Sequence, residues 1–153
     1  MTKAKMPVEI RPPMESDRDA WEGLWTAYLE FYNSSASKAV YDQTFARLIK
    51  SVSSNINGLI ALIDGRPVGL VHYIFHDHCW RLEQVCYLQD LFTAPEARGH
   101  GVGRALIEAV YDAADAAGCP SVYWMTQDFN ADARVLYDRI GQLTPFIKYQ
   151  RPA

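Results

Sequence analysis

Apolar residues nowhere run unbroken for the ~18 positions that a membrane helix needs, although they make up 49% of the chain. Cysteine is scarce. The three present, Cys79, Cys86 and Cys119, are odd in number and hold no Cys-x-x-Cys spacing. That excludes a disulfide framework or zinc knuckle as the organising element and suits reduced intracellular thiols. Basic charge is not clustered: 15 Lys and Arg against 18 Asp and Glu leave a net charge of −3. No basic stripe follows a phosphate backbone, so nucleic acid is not an expected partner. A cationic substrate suits the sign. Internal repeats, low-complexity tracts and linker-like segments are missing too. Met1 to Met6 carries two lysines with no apolar stretch behind them, so no secretion signal or membrane partner is expected and the location is read as cytoplasmic. A chain of 153 residues is read as one domain, residues 1–153, large enough to bury a core.

What is present alternates between strand and helix patterns. Val8 to Arg11 reads as a short strand stopped by Pro12–Pro13. Ser16 or Asp17 can cap a helix whose stripe is Trp21, Leu24, Trp25, Tyr28 and Phe31, read as core. After the polar break Asn33 to Ser37, a second helix is expected over Tyr41 to Val52. Leu59 to Ile63 and Val68 to Phe75, joined by Asp64–Gly65–Arg66–Pro67, form a hairpin. Arg81 to Thr93 is a strand, Arg104 to Ala117 a helix stopped by Gly118 and Pro120, and Ser121 to Thr126 a strand. Ala131 to Ile140 is a helix closed by Gly141, and Thr144 to Tyr149 a last strand. The order is β-α-α-β-β-β-α-β-α-β: α/β, with an antiparallel first half.

One segment stands out. Asp90 to Ala97 runs into Arg98–Gly99–His100–Gly101–Val102–Gly103–Arg104, a strand entering a glycine-rich turn that opens a helix. Such a turn exposes backbone N–H groups and the positive helix end to a pyrophosphate, and glycine allows the close approach. No Gly-Lys-Ser/Thr follows, which excludes a Walker loop. Leu106 occupies the third glycine position of a dinucleotide fingerprint.

The Arg-x-x-Gly-x-Gly pattern on Arg98, Gly101 and Gly103 resembles the acetyl-CoA loop of GNAT N-acetyltransferases. Tyr123 to Thr126, Asn130, Ala133, Leu136–Tyr137 and Gly141 resemble that family's second motif in the same order. More narrowly, Val110–Tyr111–Asp112 through Pro120 to Trp124 is similar to fungal histone and polyamine acetyltransferases. Tyr87 to Phe92 is similar to diamine (spermidine/spermine) acetyltransferases. The resemblance spans essentially the whole chain. It implies a GNAT fold: a central mixed, mostly antiparallel sheet of about six strands flanked by four helices.

It also implies acetyl-CoA as cosubstrate and transfer to a primary amine by direct attack in a ternary complex. The acceptor would be a polyamine or other diamine, or a lysine of a basic protein such as a histone. By the same resemblance, Leu91, Phe92 and Thr93 offer backbone groups to the pantetheine arm. Arg98, Gly99, His100, Gly101, Val102, Gly103 and Arg104 hold the pyrophosphate, and Asn130 bonds the arm. Tyr137 contacts the cofactor and is the candidate acid for the leaving thiolate. Glu30, Tyr32 and Tyr41 lie near the break between the first two helices, where the acceptor pocket forms; Gln89 joins Glu30 and Tyr32 as an acceptor-binding candidate. A homodimer is implied, with Phe146 to Tyr149 pairing across subunits.

The base is less direct. The similar diamine enzymes read Tyr-Leu-Glu-Asp, with that Glu as candidate base, where this chain has Gln89. A neutral amide does not take the proton of an amine of pKa ~10.4. Asp90, Glu83 or a water-linked group remains for the task, and Asp90 is the catalytic candidate. Adjacent strand residues face opposite sides unless a bulge intervenes. An acyl-CoA-binding module with little or no turnover is the alternative that Gln89 keeps open. His72, His76 and His78 share strand parity, yet no aligned carboxylate or cysteine completes a metal set. No metal is expected, and the three read as a partly exposed strand surface or acceptor-site rim. None of the cysteines occupies a motif position, so no covalent nucleophile is expected.

Overall fold

The computed structural model describes residues 4–153; Met1 to Lys3, the start of the stretch read above for a secretion signal, lie outside the described residues. The elements run β1 (Glu9–Arg11), α1 (Arg18–Phe31), α2 (Lys38–Leu48), β2 (Ile56–Ile63), β3 (Arg66–His76), β4 (Val85–Thr93), α3 (Val102–Ala116), β5 (Val122–Tyr123) and α4 (Ala131–Ile140). Among the described residues the strands form one sheet of five in the order β1-β2-β3-β4-β5. The first three pairings are antiparallel and β4–β5 is parallel.

Five strands, not six, is a correction to the expectation from sequence. Thr144 to Tyr149 forms no strand, and Phe146, Ile147 and Tyr149 stand 78–90% exposed. Alternating apolar residues report a capacity to pair, and pairing needs a partner edge; β5 offers only two residues. Arg81 to Gln84 is likewise outside β4. The second helix begins three residues earlier than expected, where Ser37 Oγ accepts the Val40 N–H at 3.3 Å. It stops short of Val52 because the backbone turns left-handed at Lys50, φ 61°. Asp17 does not cap α1 with its side chain. Its carboxylate accepts the Met14 N–H at 2.6 Å and grips Arg11 at 2.7 and 3.1 Å. The Arg11 guanidinium holds that carboxyl below its ordinary value, and the pair ties β1 to the start of α1.

Strand alternation sorts the apolar residues to two faces. On one, Val71, Tyr73, Cys86 and Leu88 meet Val102, Leu106, Ile107 and Val110 of α3. On the other, Leu70 meets Trp21, Trp25, Tyr41, Phe45 and Leu48 of α1 and α2. Each fully buried large side chain contributes roughly 1.5–3 kcal/mol. The Trp21 and Trp25 rings stack at 5.3 Å between centroids.

The register of β3 against β4 slips at one point. His72 opposes Asp90 and Tyr73 opposes Leu88, so Gln89 has no residue across from it. This bulge inverts the phase of β4. Cys86 and Leu88 face α3, whereas Phe92, an even number of residues on, packs with the α1–α2 cluster and Leu91 returns to the α3 side. Asp90 therefore points toward α1, not into the α3 core.

Candidate active site

Two local features open a gap in the sheet. β5 pairs only with Cys86 and Tyr87, so among the described residues that edge of β4 carries no strand from Leu88 onward. The bulge at Gln89 then bends β4 at the mouth of the gap. The pocket here is lined by Tyr28 of α1 and Tyr32 just past its end, Leu88, Gln89 and Leu91 of β4, Trp124 and Met125 after β5, and Tyr137 of α4. Backbone amides and carbonyls along the free edge are obligatory hydrogen-bonding groups left for a ligand. Leu91, Phe92 and Thr93 are half-buried along it.

Tyr137 sits in this pocket with its ring 5.6 Å from that of Trp124, edge to face. Burial, with a smaller effect of Tyr32, pushes its phenol up to about 12. Trp124 is held close by Gly141, where an added Cβ would lie 2.7 Å from the indole. Gly141 closes α4 as expected, but in extended backbone. Its small size, not a left-handed turn, is what the site requires.

At the far end of β4 the glycine-rich turn is built as its sequence pattern requires. Gly99 and Gly101 have φ of 86° and 77°, the left-handed region that costs glycine little. The hydrogen bond from Ala105 N–H to the Gly101 carbonyl opens α3, so the amides of Val102, Gly103 and Arg104 have no acceptor within the helix. They and the helix dipole form an anion cradle. Val102 and His100 turn their side chains inward, and His100 Nδ1 accepts the Met6 N–H at 3.2 Å. Both are left to contribute main chain only. Arg98 and Arg104 are exposed at the rim, Arg104 paired to Glu108 at 2.8 Å. Asn130 stands at the N-cap position of α4 with no side-chain capping bond; it donates instead to Thr126 Oγ1 at 3.2 Å, and lines a neighbouring hollow with Phe31, Gln127 and Phe129.

Behind the pocket lies a buried polar chain. Trp21 Nε1–H donates to His72 Nε2 at 3.0 Å, and His72 Nδ1 meets Asp90 Oδ2 at 2.8 Å. Trp25 Nε1–H donates to the same oxygen at 3.2 Å. His72 and Asp90 are only 4% and 9% exposed, so each depends on these partners to offset desolvation. Burial first, and then the Asp90 charge, hold the phenols of Tyr28 and Tyr32 above their ordinary value.

The pocket and cradle thus assemble Tyr32, Gln89, Leu91, Tyr137 and the 98–104 turn along one edge of β4. Glu30 does not join them. It is exposed, and lies two positions from Tyr28 on a helix, near the opposite face. Tyr41 is core, its hydroxyl 2.7 Å from Thr26 Oγ1. The histidine trio does not form a shared surface. His72 is buried, His76 bonds the Tyr123 hydroxyl at 2.8 Å, and His78 lies beyond the end of β3. No metal-holding group of His, Cys, Asp or Glu occurs among the described residues. The sequence reading missed Tyr28, Trp124, Met125 and Leu88 as pocket residues. A hydroxyl near the end of the otherwise apolar Trp21–Trp25 stripe was the signal for Tyr28; Phe31, read as core in that stripe, is 61% exposed.

Comparison with known proteins bears on this arrangement. Residues 18–142 match the model of the acetyltransferase (GNAT) family. The D-amino-acid N-acetyltransferase HPA3 of Saccharomyces cerevisiae is 38% identical over 137 residues, covering 88% of this chain and 84% of that protein. A thialysine N-epsilon-acetyltransferase of Caenorhabditis elegans is 28% identical over 98 residues, 63% of this chain and 61% of that one. Among solved structures, AAC(6')-Iy in complex with the bisubstrate analog CoA-S-monomethyl-acetylneamine superposes with a TM-score of 0.82 at 20% identity. It covers 96% of this chain and 99% of its own.

Proposed function

We propose that this chain, which belongs to the acetyltransferase (GNAT) family, acetylates the primary amine of a small free amino acid in the gap between β4 and β5. It is an acetyl-CoA-dependent N-acetyltransferase. The observation that carries the reading is the continuity of the pocket, the free β4 edge and the anion cradle. Their donor set fits acetyl-CoA: amides of residues 99–104 for the pyrophosphate, and the Leu91 to Thr93 edge with Asn130 for the amide-bearing arm. Arg98 and Arg104 add charge at the rim.

When bound, acetyl-CoA supplies the thioester whose acyl group is transferred. A backbone N–H near Leu91 polarises its carbonyl and stabilises the charge that develops on oxygen. Asp90 is the base that ultimately takes the acceptor's proton. Tyr137, held up to about 12 by burial, stays protonated through neutral pH and meets the departing sulfur as an O–H donor. A thiol has an ordinary pKa of ~8.5, so complete transfer from this phenol runs uphill. Tyr137 acts first as a hydrogen-bond donor, and the acceptor nitrogen's second proton completes the exchange. Transfer is direct, since Cys86 is buried and its thiol pushed up to about 11 by burial and then by Cys119, a poor nucleophile.

The acceptor class rests on the relatives named for a D-amino acid and for thialysine, both of the amino-acid class. The pocket lining offers three phenols and one amide to such a molecule. A polyamine, or a lysine of a basic protein, is the second reading. It is favoured by the aromatic faces of Tyr28, Tyr32 and exposed Phe31, which suit further cations. A homodimer is part of the proposal, because Leu143, Phe146, Ile147 and Tyr149 expose apolar surface in the C-terminal segment. A reducing, cytoplasmic setting suits its three free cysteines.

The test is a ranking of kcat/KM over free D- and L-amino acids, thialysine, spermidine and a histone-tail peptide. Amino acids leading by tenfold or more supports the proposal. Spermidine or the peptide leading by that margin transfers the assignment to the second reading.

A further inference from the structure

Asp90 is separated from the acceptor it is to serve. Its carboxylate is buried and absent from the pocket lining, where Tyr28 and Gln89 stand instead. Gln89 has no proton-accepting group. Tyr28 borders both spaces: it lines the pocket, and it follows by about one helical turn Trp25, whose indole bonds the Asp90 carboxylate, with its ring 6.4 Å from that of Phe92 on the same strand.

The hydrogen bonds behind Asp90 give it an orientation. An indole N–H only donates, so His72 Nε2, which receives Trp21 Nε1–H at 3.0 Å, carries the lone pair. The ring proton is therefore on Nδ1 and is donated to Asp90 Oδ2 at 2.8 Å. Trp25 Nε1–H reaches that same oxygen at 3.2 Å. Two donors on Oδ2 leave Oδ1 as the oxygen open to a proton.

We infer that Tyr28 is a further catalytic residue, which passes the acceptor's proton from the pocket to Asp90, and that His72 is the positioning residue holding that carboxylate. The inference rests on the N-acetyltransferase reading with Asp90 as base. One N–H bond of the acceptor ammonium breaks as its proton joins the Tyr28 oxygen. Tyr28's own O–H proton passes to Asp90 Oδ1, and the electron pair left on nitrogen attacks the thioester carbonyl. Asp90 ends neutral, Tyr28 unchanged, and the proton later leaves Asp90 for solvent. A carboxylate is a far weaker base than an amine, so the transfer is uphill; it accompanies attack and does not precede it. Because burial and the Asp90 charge keep Tyr28 from resting as a phenolate, it relays the proton without storing it. The groups facing Asp90 are His72 from β3, Trp25 and Tyr28 from α1, Tyr32 just past the end of α1, and Tyr87 from β4.

The experiment compares the full-length protein with Tyr28→Phe, using whichever acceptor leads the panel above. Phenylalanine keeps the ring against Tyr32 and Phe92, now at 5.1 and 6.4 Å. Expected is a kcat loss of about 10²-fold at neutral pH, shrinking to a few-fold near pH 10, where the acceptor arrives already deprotonated. Acetyl-CoA affinity by calorimetry stays within a few-fold. His72→Asn, whose amide can donate where Nδ1 does, keeps more of the neutral-pH kcat than His72→Leu. A Tyr28→Phe enzyme with the kcat of the unaltered protein, or a loss equal at every pH, overturns the relay. Either result leaves the transferase reading standing, because turnover by the unaltered protein is measured in the same series.

Discussion

Gln89 stands where the resemblance to diamine acetyltransferases leads one to expect a glutamate, and its environment bears on that difference. It is the unpaired residue of the β4 bulge, exposed at the pocket mouth. The carboxylate proposed as base lies one residue on, turned toward α1 and held by His72 and Trp25. Asp90→Asn is therefore expected to cut kcat at neutral pH by about 10²–10⁴-fold, with acetyl-CoA affinity preserved in a direct titration. Gln89→Glu is expected to change kcat less than about threefold, since it sets a second negative charge near Asp90. A gain of tenfold or more would locate the base at position 89 instead. Tyr137→Phe removes the proposed donor to the leaving sulfur, with an expected loss of about 10²-fold in kcat and little change in acceptor KM. Steady-state kinetics separates these cases.

At the scale of elements, the parts legible in the sequence were those coded locally. The Trp21 to Tyr28 stripe, the hairpin around Asp64–Gly65 and the glycine-rich turn each depend on spacing within one segment. The Gln89 bulge does not. It is a property of how β4 registers on β3, and no residue type in Tyr87 to Phe92 announces it. His72 illustrates the same limit: parity grouped it with His76 and His78 on a partly exposed strand surface, whereas it is buried and bonded by Trp21 of a distant helix. Gly141 was legible as a helix end and not as a spacer for Trp124. Gly141→Ala is expected to push the indole against Tyr137, costing roughly 1–3 kcal/mol and lowering acetyl-CoA affinity. Thermal melts and calorimetry read the two effects separately, and an unchanged melt would show that Trp124 repacks freely.

For the whole molecule, burial of phenols and a thiol makes stability depend on alkaline pH. Tyr137 is raised from 10.0 to about 12 and Cys86 from 9.0 to about 11, with Tyr28 raised as well. The unfolded chain ionises these groups first, so the folded state holds more protons between those values. Their contribution is fully present below pH 9 and declines as pH rises toward 12; denaturant titrations across that window are expected to show midpoints falling steadily. The one strand expected and not formed, Thr144 to Tyr149, belongs to this scale too. Its apolar side chains stand exposed, and the proposed homodimer would cover them. Light scattering is expected to report a dimer, and removal of residues 143–153 a monomer. The most direct test of the whole account is CoA release from acetyl-CoA by the purified protein, with free amino acids as acceptors, from pH 6 to pH 10. Saturable, acceptor-dependent release that rises with pH is the predicted result. Tight acetyl-CoA binding without acceptor-dependent release at any pH would contradict it, leaving an acyl-CoA-binding module in its place.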